Sequence, residues 1–304
     1  MKSKIIYAHR GARALYPENT LEAFDACVKA GILHLDMDIT LSADKVFIVS
    51  HDLVLNPNII KYQDKFISQT TNKIVKNLTI NQLQDYTIGL DPLSSYAKFF
   101  PNQLCMSNIQ IPTLQHVVDH MKINYSNLNL IYQLEIKNDP QNLELCFSNY
   151  EIVELLYNFI ITNNLLDCVE IQAFDWDLLL KLQNINPNIK TAYLISADEL
   201  KLIQLDNQDA LDYANIFHAG YLLKNFNNSI VNMIKLLGGS FYEPEDVAIT
   251  RSDVLKAHEL GLKVIVWRYV EHTRSIHDLS LIHKLIDFEV DGFILDDPFI
   301  KPFY

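Results

Sequence analysis

Residues 33–52, LHLDMDITLSADKVFIVSHD, contain two apolar runs separated by a short polar link. The link, SADK, is too short for a helix that crosses over a sheet, so the two runs predict an antiparallel hairpin. Side chains alternate along a strand, which places Asp36 and Asp38 on one face and the apolar side chains on the other. The stretch therefore predicts a half-polar strand inside an otherwise apolar sheet.

The pairing of this hairpin predicts what lies beside the two aspartates. If Leu41 pairs with Val46 and the turn carries no bulge, His51 falls directly opposite Asp36. Two carboxylates stacked on one strand repel each other unless a cation or a buried water lies between them. An edge strand that faces solvent is the alternative, and the neighbouring histidine argues against it.

Upstream of the hairpin, HRG at 9–11 and PENT at 17–20 add a second imidazole and a guanidinium. His9 ends a predicted strand, and it is either an ordinary histidine or part of the same site. Arg10 offers a fork that suits phosphate oxygens, or it pairs with Glu18, and the two roles are compatible. Gly11 allows a sharp backbone turn or a close approach to a ligand.

Downstream, Glu135 and Lys137 share one face at the end of the run LIYQLEIK, residues 130–137. Taken alone, the two form an ordinary surface ion pair. Beside the aspartates, the glutamate completes an oxygen-rich site for Mg²⁺ or Ca²⁺, and the lysine neutralises a phosphate. Trp267 in VIVWRY either forms a stacking wall of the site or fills the core.

The composition excludes several classes of partner. The net charge is −12 over 304 residues, with no run of lysine or arginine, which argues against nucleic acid and anionic membrane surfaces. The four cysteines lie far apart without CxxC spacing, which predicts reduced thiols rather than a zinc site. The first apolar run, IIYAH, is too short for a signal or a membrane span. We expect a cytoplasmic location, or a periplasmic or secreted one if a leader was removed.

Strand-like and helix-like segments alternate along the chain, the pattern of an α/β domain. Asn19-x-x-Glu22 resembles a capping box, Thr113 opens another helix, and Ser252 or Asp253 caps a later one. Nine strands are predicted, so one pair must be a hairpin or an extra strand beside a barrel of eight. The strands are Ile5–His9, Leu33–Ile39, Val46–His51, Leu128–Ile136, Cys168–Phe174, Thr191–Ile195, Ala214–His218, Lys263–Tyr269 and Gly292–Asp296.

Residues 53–111 interrupt this alternation with a long polar insertion, in which only residues 79–86 look helical. A loop of this length inside a compact domain is usually functional or forms a small subdomain.

The ordered motifs HRG, PENT, D-x-D, HD and E-x-K resemble the glycerophosphodiester phosphodiesterase family over nearly the whole chain. VIVWRY and DGFILDDP, residues 291–298, continue the resemblance to the C-terminal end. It implies one TIM (β/α)₈ barrel over residues 1–304, with an insertion of roughly 53–111 after the third strand. It also implies hydrolysis of glycerophosphodiesters to an alcohol and sn-glycerol 3-phosphate.

The resemblance further implies a role for each site residue and one divalent cation, Mg²⁺ or Ca²⁺. Asp36 stands where the family usually has glutamate, and the missing methylene leaves three outcomes open. The aspartate binds the ion through a water, changes which ion is preferred, or weakens binding. The implied roles are acid–base catalysis for His9 and His51, substrate binding for Arg10, Lys137 and Trp267, and metal binding for Asp36, Asp38 and Glu135.

Two rival functions and two nucleophiles stay open at this point. A phospholipase D-like or lysophospholipid phosphodiesterase would use Tyr96, Phe99 and Phe100 as an apolar lip. A catalytically impaired phosphodiester-binding barrel is favoured only by Asp36. The nucleophile is either the glycerol's own hydroxyl, which gives a cyclic phosphate, or water. The expected partner is a small glycerophosphodiester, with no stable membrane insertion, and the sequence sets no oligomeric state.

Overall fold

The computed structural model describes residues 4–205, 207–268 and 279–300, and it shows a closed barrel of eight parallel strands with helices outside. The strands are β1 (Ile5–Ala8), β2 (His34–Leu41), β3 (Phe47–Val49), β4 (Ile60–Tyr62), β5 (Lys65–Phe66), β6 (Tyr86–Ile88), β7 (Ile109–Gln110), β8 (Ile131–Ile136), β9 (Val169–Ala173), β10 (Lys190–Ile195), β11 (Phe241–Pro244), β12 (Lys263–Trp267) and β13 (Gly292–Leu295). The helices are α1 (Leu21–Lys29), α2 (Ile80–Leu83), α3 (Leu114–Asn124), α4 (Asn149–Thr162), α5 (Trp176–Ile185), α6 (Ala197–Ile203), α7 (Gln208–Phe217), α8 (Ile230–Leu236), α9 (Arg251–Glu259) and α10 (Leu279–Asp287). The predicted TIM barrel is confirmed.

The barrel closes where β1 pairs in parallel with both β2 and β13. The remaining order around the barrel is β2, β8, β9, β10, β11, β12 and β13. Gly292 sits at this closure, where a Cβ atom would lie 2.5 Å from the carbonyl oxygen of Ile5. The first and last strands therefore approach each other more closely than any side chain at position 292 permits.

Strand β2 shows the predicted alternation between its two faces. Leu35, Met37 and Ile39 are fully buried in the main hydrophobic core, which lies between the sheet and the surrounding helices. Asp36 and Asp38 lie on the opposite face, inside the barrel, and each is 2% exposed. The solvent-facing alternative for the aspartates is wrong.

The hairpin exists, but its predicted register is wrong by one residue. Leu41 pairs with Phe47 instead of Val46, because the loop has three residues in place of four. The last of them, Lys45, has φ of +59°, a left-handed conformation that ends many three-residue hairpin loops. His51 is therefore not opposite Asp36 in the ladder, and it reaches the site because the chain leaves the sheet after Val49.

One predicted strand is a helix, and one strand of the barrel was missed. Ala214–His218 lies at the end of α7, since Asn207 caps a helix whose buried Ala210 and Ala214 are spaced by four residues. A short apolar run of this kind does not distinguish a strand from a buried helix. The missed strand, β11, has the sequence FYEP and shows no apolar run. Tyr269, at the end of another predicted strand, lies outside the described residues.

Two of the predicted helix starts shift by one to three residues. Thr20, rather than Asn19, caps α1 by accepting from the backbone N–H of Ala23. Thr250 caps α9, and Asp253 is the third helical residue of its capping box. Thr113 caps α3 as predicted.

The insertion carries a sheet of its own. Strands β4, β5, β6 and β7 pair in an antiparallel arrangement, and the short helix α2 lies between β5 and β6. Their buried side chains, with Val75 and Leu83 almost fully enclosed, form a hydrophobic cluster together with Ile48 and Ile111. The insertion is therefore packed against the barrel near the end of β3.

Over the described ranges, none of the helices combines the length and the apolar character that a membrane span requires.

Candidate active site

The C-terminal ends of the barrel strands surround a cavity of about 280 Å³, here named the inner cavity. The loops that follow the strands converge at this end, which is where TIM barrels place their chemistry. Seven of the eight predicted site residues line it, and Asp38 lies just behind, in contact with two of the seven. The seven are His9, Arg10, Asp36, His51, Glu135, Lys137 and Trp267.

His9 follows β1 and is held by a carboxylate from the other end of the chain. Its Nδ1 lies 2.6 Å from Oδ1 of Asp296, and the same carboxylate pairs with Arg13. Burial raises the pKa of Asp296, but Arg13 and His9 together hold it well below its ordinary value. An ionised carboxylate only accepts, so Nδ1 of His9 donates and Nε2 keeps its lone pair.

The pKa of His9 is lowered to about 4, first by burial and then by the charge of Arg13, against the opposing effect of Asp296. The imidazole is therefore neutral at neutral pH. A neutral histidine with a free Nε2 in a cavity is the arrangement of a general base.

The loop after β1 holds Arg10 in an unusual backbone conformation. Arg10, Gly11 and Ala12 have φ of +49°, +73° and +64°, and a Cβ at Gly11 would lie 2.7 Å from that of Ala23. Left-handed residues in succession store strain, which is common at functional sites. The strained turn directs the guanidinium of Arg10 into the inner cavity, where it lines the wall.

Arg10 also pairs with Glu18, whose Oε1 accepts from Nη1 over 2.8 Å. Its Nε lies 3.2 Å from Oδ2 of Asp38. The arginine is 8% exposed, and the two carboxylates raise its pKa well above the ordinary value, although burial alone acts in the opposite direction. Pairing with Glu18 and binding of phosphate are therefore sterically compatible roles for Arg10. The ion pair fixes the guanidinium, and part of the guanidinium still faces the cavity.

Asp36, Asp38 and Glu135 meet on neighbouring strands, because Asp38 pairs with Glu135 in the β2–β8 register. Burial raises the pKa of Asp36 well above its ordinary value, and the charges of the other two carboxylates add to the rise. Burial also raises the pKa of Glu135. The Nε2 amide of Gln172 donates to Asp36.

Lys137 partly offsets this negative charge. Its Nζ contacts Glu135 and lies 3.1 Å from Oδ1 of Asp38. Asn19 donates to the second oxygen of Asp38 over 2.8 Å. Burial would raise the pKa of Asp38, but Lys137 and Arg10 hold it well below its ordinary value. Asp38 is therefore a charged centre to which two cations and one amide converge.

These contacts bear on whether a metal ion fits. In the parts of the chain that the structure describes, no three His, Cys, Asp or Glu side chains are grouped as a ready metal site. The side chain of Lys137 lies between Asp38 and Glu135, where it already supplies one positive charge. The three carboxylates nevertheless provide the hard oxygen donors that Mg²⁺ and Ca²⁺ prefer.

His51 repeats the arrangement of His9 with a different carboxylate. Its Nδ1 lies 2.9 Å from Oδ1 of Asp52, and Asn56 donates to the other oxygen of Asp52 over 2.7 Å. Burial raises the pKa of Asp52, but the hydrogen bonds from His51 and Asn56 and the charge of Arg10 together lower it to about 2. The Nε2 of His51 is again the nitrogen left for a substrate.

A second cavity of about 800 Å³, here named the outer groove, opens next to the first. It shares four lining residues with the inner cavity, which are His51, Glu135, Lys137 and Phe174. The insertion forms one wall, through residues 53–57 and 69–72 together with the preceding Asp52, and the loop after β8 forms the other. His9 lines only the inner cavity, whereas His51 stands at the junction.

Several further side chains of the cavity were left undecided or missed by the sequence. Trp267 lines the inner cavity, donates from Nε1 to the carbonyl of Glu243 and packs edge-on against Phe174, so it forms a wall of the site. Arg13 and Asp296 were missed, although Asp296 lies in the motif DGFILDDP and Arg13 lies two residues after HRG. Gln172, in β9, also lines the cavity.

The aromatic residues of the insertion do not form an apolar lip. The hydroxyl of Tyr96 donates to Glu18 over 2.9 Å, and Arg13 lies 4.8 Å over the ring of Phe100. Phe100 is 1% exposed. These rings therefore support Arg13 and do not open to either cavity.

His218 also has no place in the site. It ends α7, is 2% exposed and stacks on Trp176 with ring centroids 4.0 Å apart. Because the segment that it ends is a helix on the outside of the barrel, His218 does not reach the barrel mouth.

Known structures share this fold. A protein from Silicibacter pomeroyi DSS-3, proposed to be a glycerophosphoryl diester phosphodiesterase, superposes with a TM-score of 0.81 at 24% identity, covering 98% of this chain and 92% of its own. An Oleispira antarctica phosphodiesterase, solved with the product sn-glycerol-3-phosphate, superposes with a TM-score of 0.65 at 18% identity, covering 97% and 94%.

Sequence comparison shows which proteins are related to this chain. YhdW of Bacillus subtilis strain 168, a proposed glycerophosphodiester phosphodiesterase, is 28% identical over 299 residues, which is 96% of this chain and 94% of YhdW. The sequence profile of the Glycerophosphoryl diester phosphodiesterase family matches residues 9–299. The match runs from the first cavity histidine to beyond Asp296, and so the chain belongs to the glycerophosphoryl diester phosphodiesterase family, a family of phosphoric diester hydrolases.

Proposed function

We propose that this chain hydrolyses glycerophosphodiesters to an alcohol and sn-glycerol 3-phosphate through two histidines, one acting as base and the other as acid. The observation that carries the proposal is the pair of imidazoles in one cavity, each with Nδ1 on a carboxylate and Nε2 left for substrate. Membership of the family and the product bound to the Oleispira antarctica relative support the substrate class.

The two histidines take different roles in this mechanism. His9 is neutral at neutral pH, so it removes the proton of the nucleophile, which is either the glycerol hydroxyl or water. His51 stands beside the outer groove and delivers a proton to the departing alkoxide. In each case the partner carboxylate fixes the orientation of the ring through Nδ1.

Positive side chains offset the charge that builds up on the phosphoryl oxygens. Arg10 faces the inner cavity with its pKa raised, so it stays cationic throughout the working range of pH. Lys137 lines both cavities and adds a second positive charge. The guanidinium of Arg10 is held by Glu18, and a charge fixed in this way stabilises a transition state because it needs no reorganisation during the reaction.

We further propose that Asp36, Asp38 and Glu135 hold one divalent cation, Mg²⁺ or Ca²⁺. Three carboxylates on adjacent strands carry more negative charge than Lys137 alone offsets, and their mutual repulsion contributes to the raised pKa of Asp36 and Glu135. The ammonium of Lys137 has to move aside for the ion to bind. When bound, the ion supplies electrophilic polarisation of a phosphate oxygen.

The test is hydrolysis of a panel of glycerophosphodiesters by the purified chain, with sn-glycerol 3-phosphate measured as product. We expect His9→Ala and His51→Ala to lower kcat by about 10²–10⁴-fold each, the usual contribution of a proton-transfer group. His116→Ala, at an exposed histidine on α3, is the control. Near-full turnover by both cavity variants would reject the two-histidine mechanism.

The cation has a separate test. A chelator should abolish turnover, and Mg²⁺ or Ca²⁺ should restore it. Turnover that survives exhaustive chelation would exclude the metal and leave the histidine mechanism standing. Absence of turnover on every diester, with either ion present, would instead favour a phosphodiester-binding barrel.

A further inference from the structure

The outer groove has no role in the chemistry described above, yet it opens directly onto it. It is about 800 Å³, nearly three times the volume of the inner cavity, and the two meet at His51 and Lys137. The inner cavity is at the small end of ligand pockets and suits a glycerol phosphate. A diester whose phosphorus lies between the two histidines therefore has one alcohol in each cavity.

The position of His51 decides which alcohol occupies the groove. His51 borders the groove and His9 does not, so the alcohol beside His51 receives the proton and leaves. This step rests on the proposed function, because it uses the assignment of His51 as the acid. The groove is then the subsite of the leaving alcohol.

The three carboxylates that line the groove already have partners, and Glu135 is in contact with Lys137. Asp52 is bound by His51 and Asn56. Asp139 accepts from the backbone N–H groups of Gln141 and Asn142 and from the amide of Asn142. In the described parts of the groove, each carboxylate is thus engaged by neighbouring donors, which a quaternary ammonium alcohol such as choline cannot replace because it has no N–H to donate.

Uncharged hydrogen-bonding groups remain available on both walls. Three such side chains make no hydrogen bond within the described residues: Thr71 and Asn72 on the insertion wall, and Gln141 on the opposite wall. Asn72 and Gln141 are exposed. Phe174 and Phe217 add apolar surface to the lining. A lining that combines amides and hydroxyls with aromatic rings suits a molecule that carries both hydroxyls and exposed C–H groups.

We propose that the outer groove binds the leaving alcohol and selects an uncharged polyhydroxylated one, such as a cyclitol or a sugar, over a quaternary ammonium alcohol. Thr71, Asn72 and Gln141 are the specificity-determining side chains. They act by hydrogen bonds to hydroxyls far from phosphorus, so their contribution appears with the polyol diester and is absent with the choline diester.

The experiment compares kcat/KM for sn-glycerol 3-phosphoinositol and sn-glycerol 3-phosphocholine in the presence of Mg²⁺ or Ca²⁺. The wild-type chain should favour the inositol diester. The double variant Asn72→Ala/Gln141→Ala should lose about tenfold on the inositol diester, the effect of two ordinary hydrogen bonds, and less than twofold on the choline diester. Both residues are exposed, so thermal unfolding should be unchanged.

The matched control is Asn188→Ala/Gln110→Ala, which removes the same two side-chain types at exposed positions outside the groove. It should leave both rates unchanged. Equal loss on both diesters in the groove variant, or a wild-type preference for the choline diester, would overturn the inference while leaving the hydrolase intact. Turnover of no diester at all would overturn the proposed function and this inference together.

Discussion

At the scale of single residues, His9 and His51 each have a carboxylate within hydrogen-bond distance of Nδ1, but the two carboxylates come from different parts of the chain. Asp52 is the next residue after His51, whereas Asp296 is 287 residues from His9. The distant carboxylate is also the more deeply held, at 3% exposure with Arg13 bound to it. Asp296 is therefore a positioning residue for His9 that also fixes its tautomer.

Asp296→Asn tests this positioning. The amide removes the negative charge that sets the proton on Nδ1 of His9, and we expect kcat to fall at least tenfold with little change in KM. The adjacent Asp297→Asn, which makes the same change of charge away from His9, is the control. Equal, small effects of the two substitutions on kcat would show that Asp296 only supports the local structure.

The lowered pKa of His9 predicts the acid limb of the pH–rate profile. His9 works as a base only when neutral, which holds at every pH above about 4. The limb of kcat/KM assigned to His9 should therefore lie near pH 4, below the ordinary histidine value of about 6.5. A pH–rate series on the wild-type chain measures it, and a limb between pH 6 and 7 would contradict the assignment of His9 as the buried base.

At the scale of elements, helix α7 ends on a histidine that the fold keeps neutral. His218 is stacked on Trp176, and burial lowers its pKa to about 3. The unfolded chain binds the proton near pH 6.5 and the folded chain does not, so the unfolded state holds one more proton between pH 3 and 6.5. Stability from this residue is complete above pH 6.5 and is lost as the pH falls towards 3.

His218→Phe should remove this dependence while it keeps a ring against Trp176. Between pH 4 and 6, the slope of the unfolding free energy against pH should be about 1.4 kcal/mol per pH unit smaller in the variant than in the wild type. Denaturant titrations at several pH values measure the slope, which is independent of any overall loss of stability. His116→Phe, on an exposed face of α3, should leave the slope unchanged; an unchanged slope in both variants would contradict the prediction.

At the scale of the whole molecule, the barrel depends on the contact between its first and last strands. That contact brings the DDP segment, after β13, beside His9, after β1, and so joins the closure of the barrel to the assembly of the site. Gly292 makes the closure possible because a side chain there would collide with the backbone of β1.

Gly292→Ala should destabilise the fold by about 1–3 kcal/mol or more, the usual cost of overpacking, because the atom it meets is a carbonyl oxygen that cannot turn aside. Gly89→Ala is the control, since its Cβ meets the flexible end of Lys61 at 3.2 Å and the carbonyl oxygen of Met106 at 3.6 Å, an ordinary van der Waals distance. Chemical denaturation of both variants measures the difference. Similar unfolding free energies for the two would show that the strands separate at little cost.

Local pattern was sufficient for most of the elements and for the principal residues of the site. Alternation with period two placed Asp36 and Asp38 on one face of their strand, and likewise Glu135 and Lys137, since this depends only on the geometry of a strand. The ordered motifs identified the family and, through it, the barrel. The local pattern failed where a run was short: FYEP, for β11, has no apolar run, and the run at Ala214–His218 is equally compatible with a buried helix.

The sequence pattern did not predict the contacts that form when the barrel closes and when its loops pack against each other. The partnership of His9 with Asp296 exists because a closed barrel makes its first and last strands neighbours. The hairpin register depended on one left-handed residue, Lys45, whose conformation is set by the turn and not by the pattern of the strands. The outer groove likewise arises only when the insertion packs beside the loop after β8, because a cavity is a property of surfaces that meet in space.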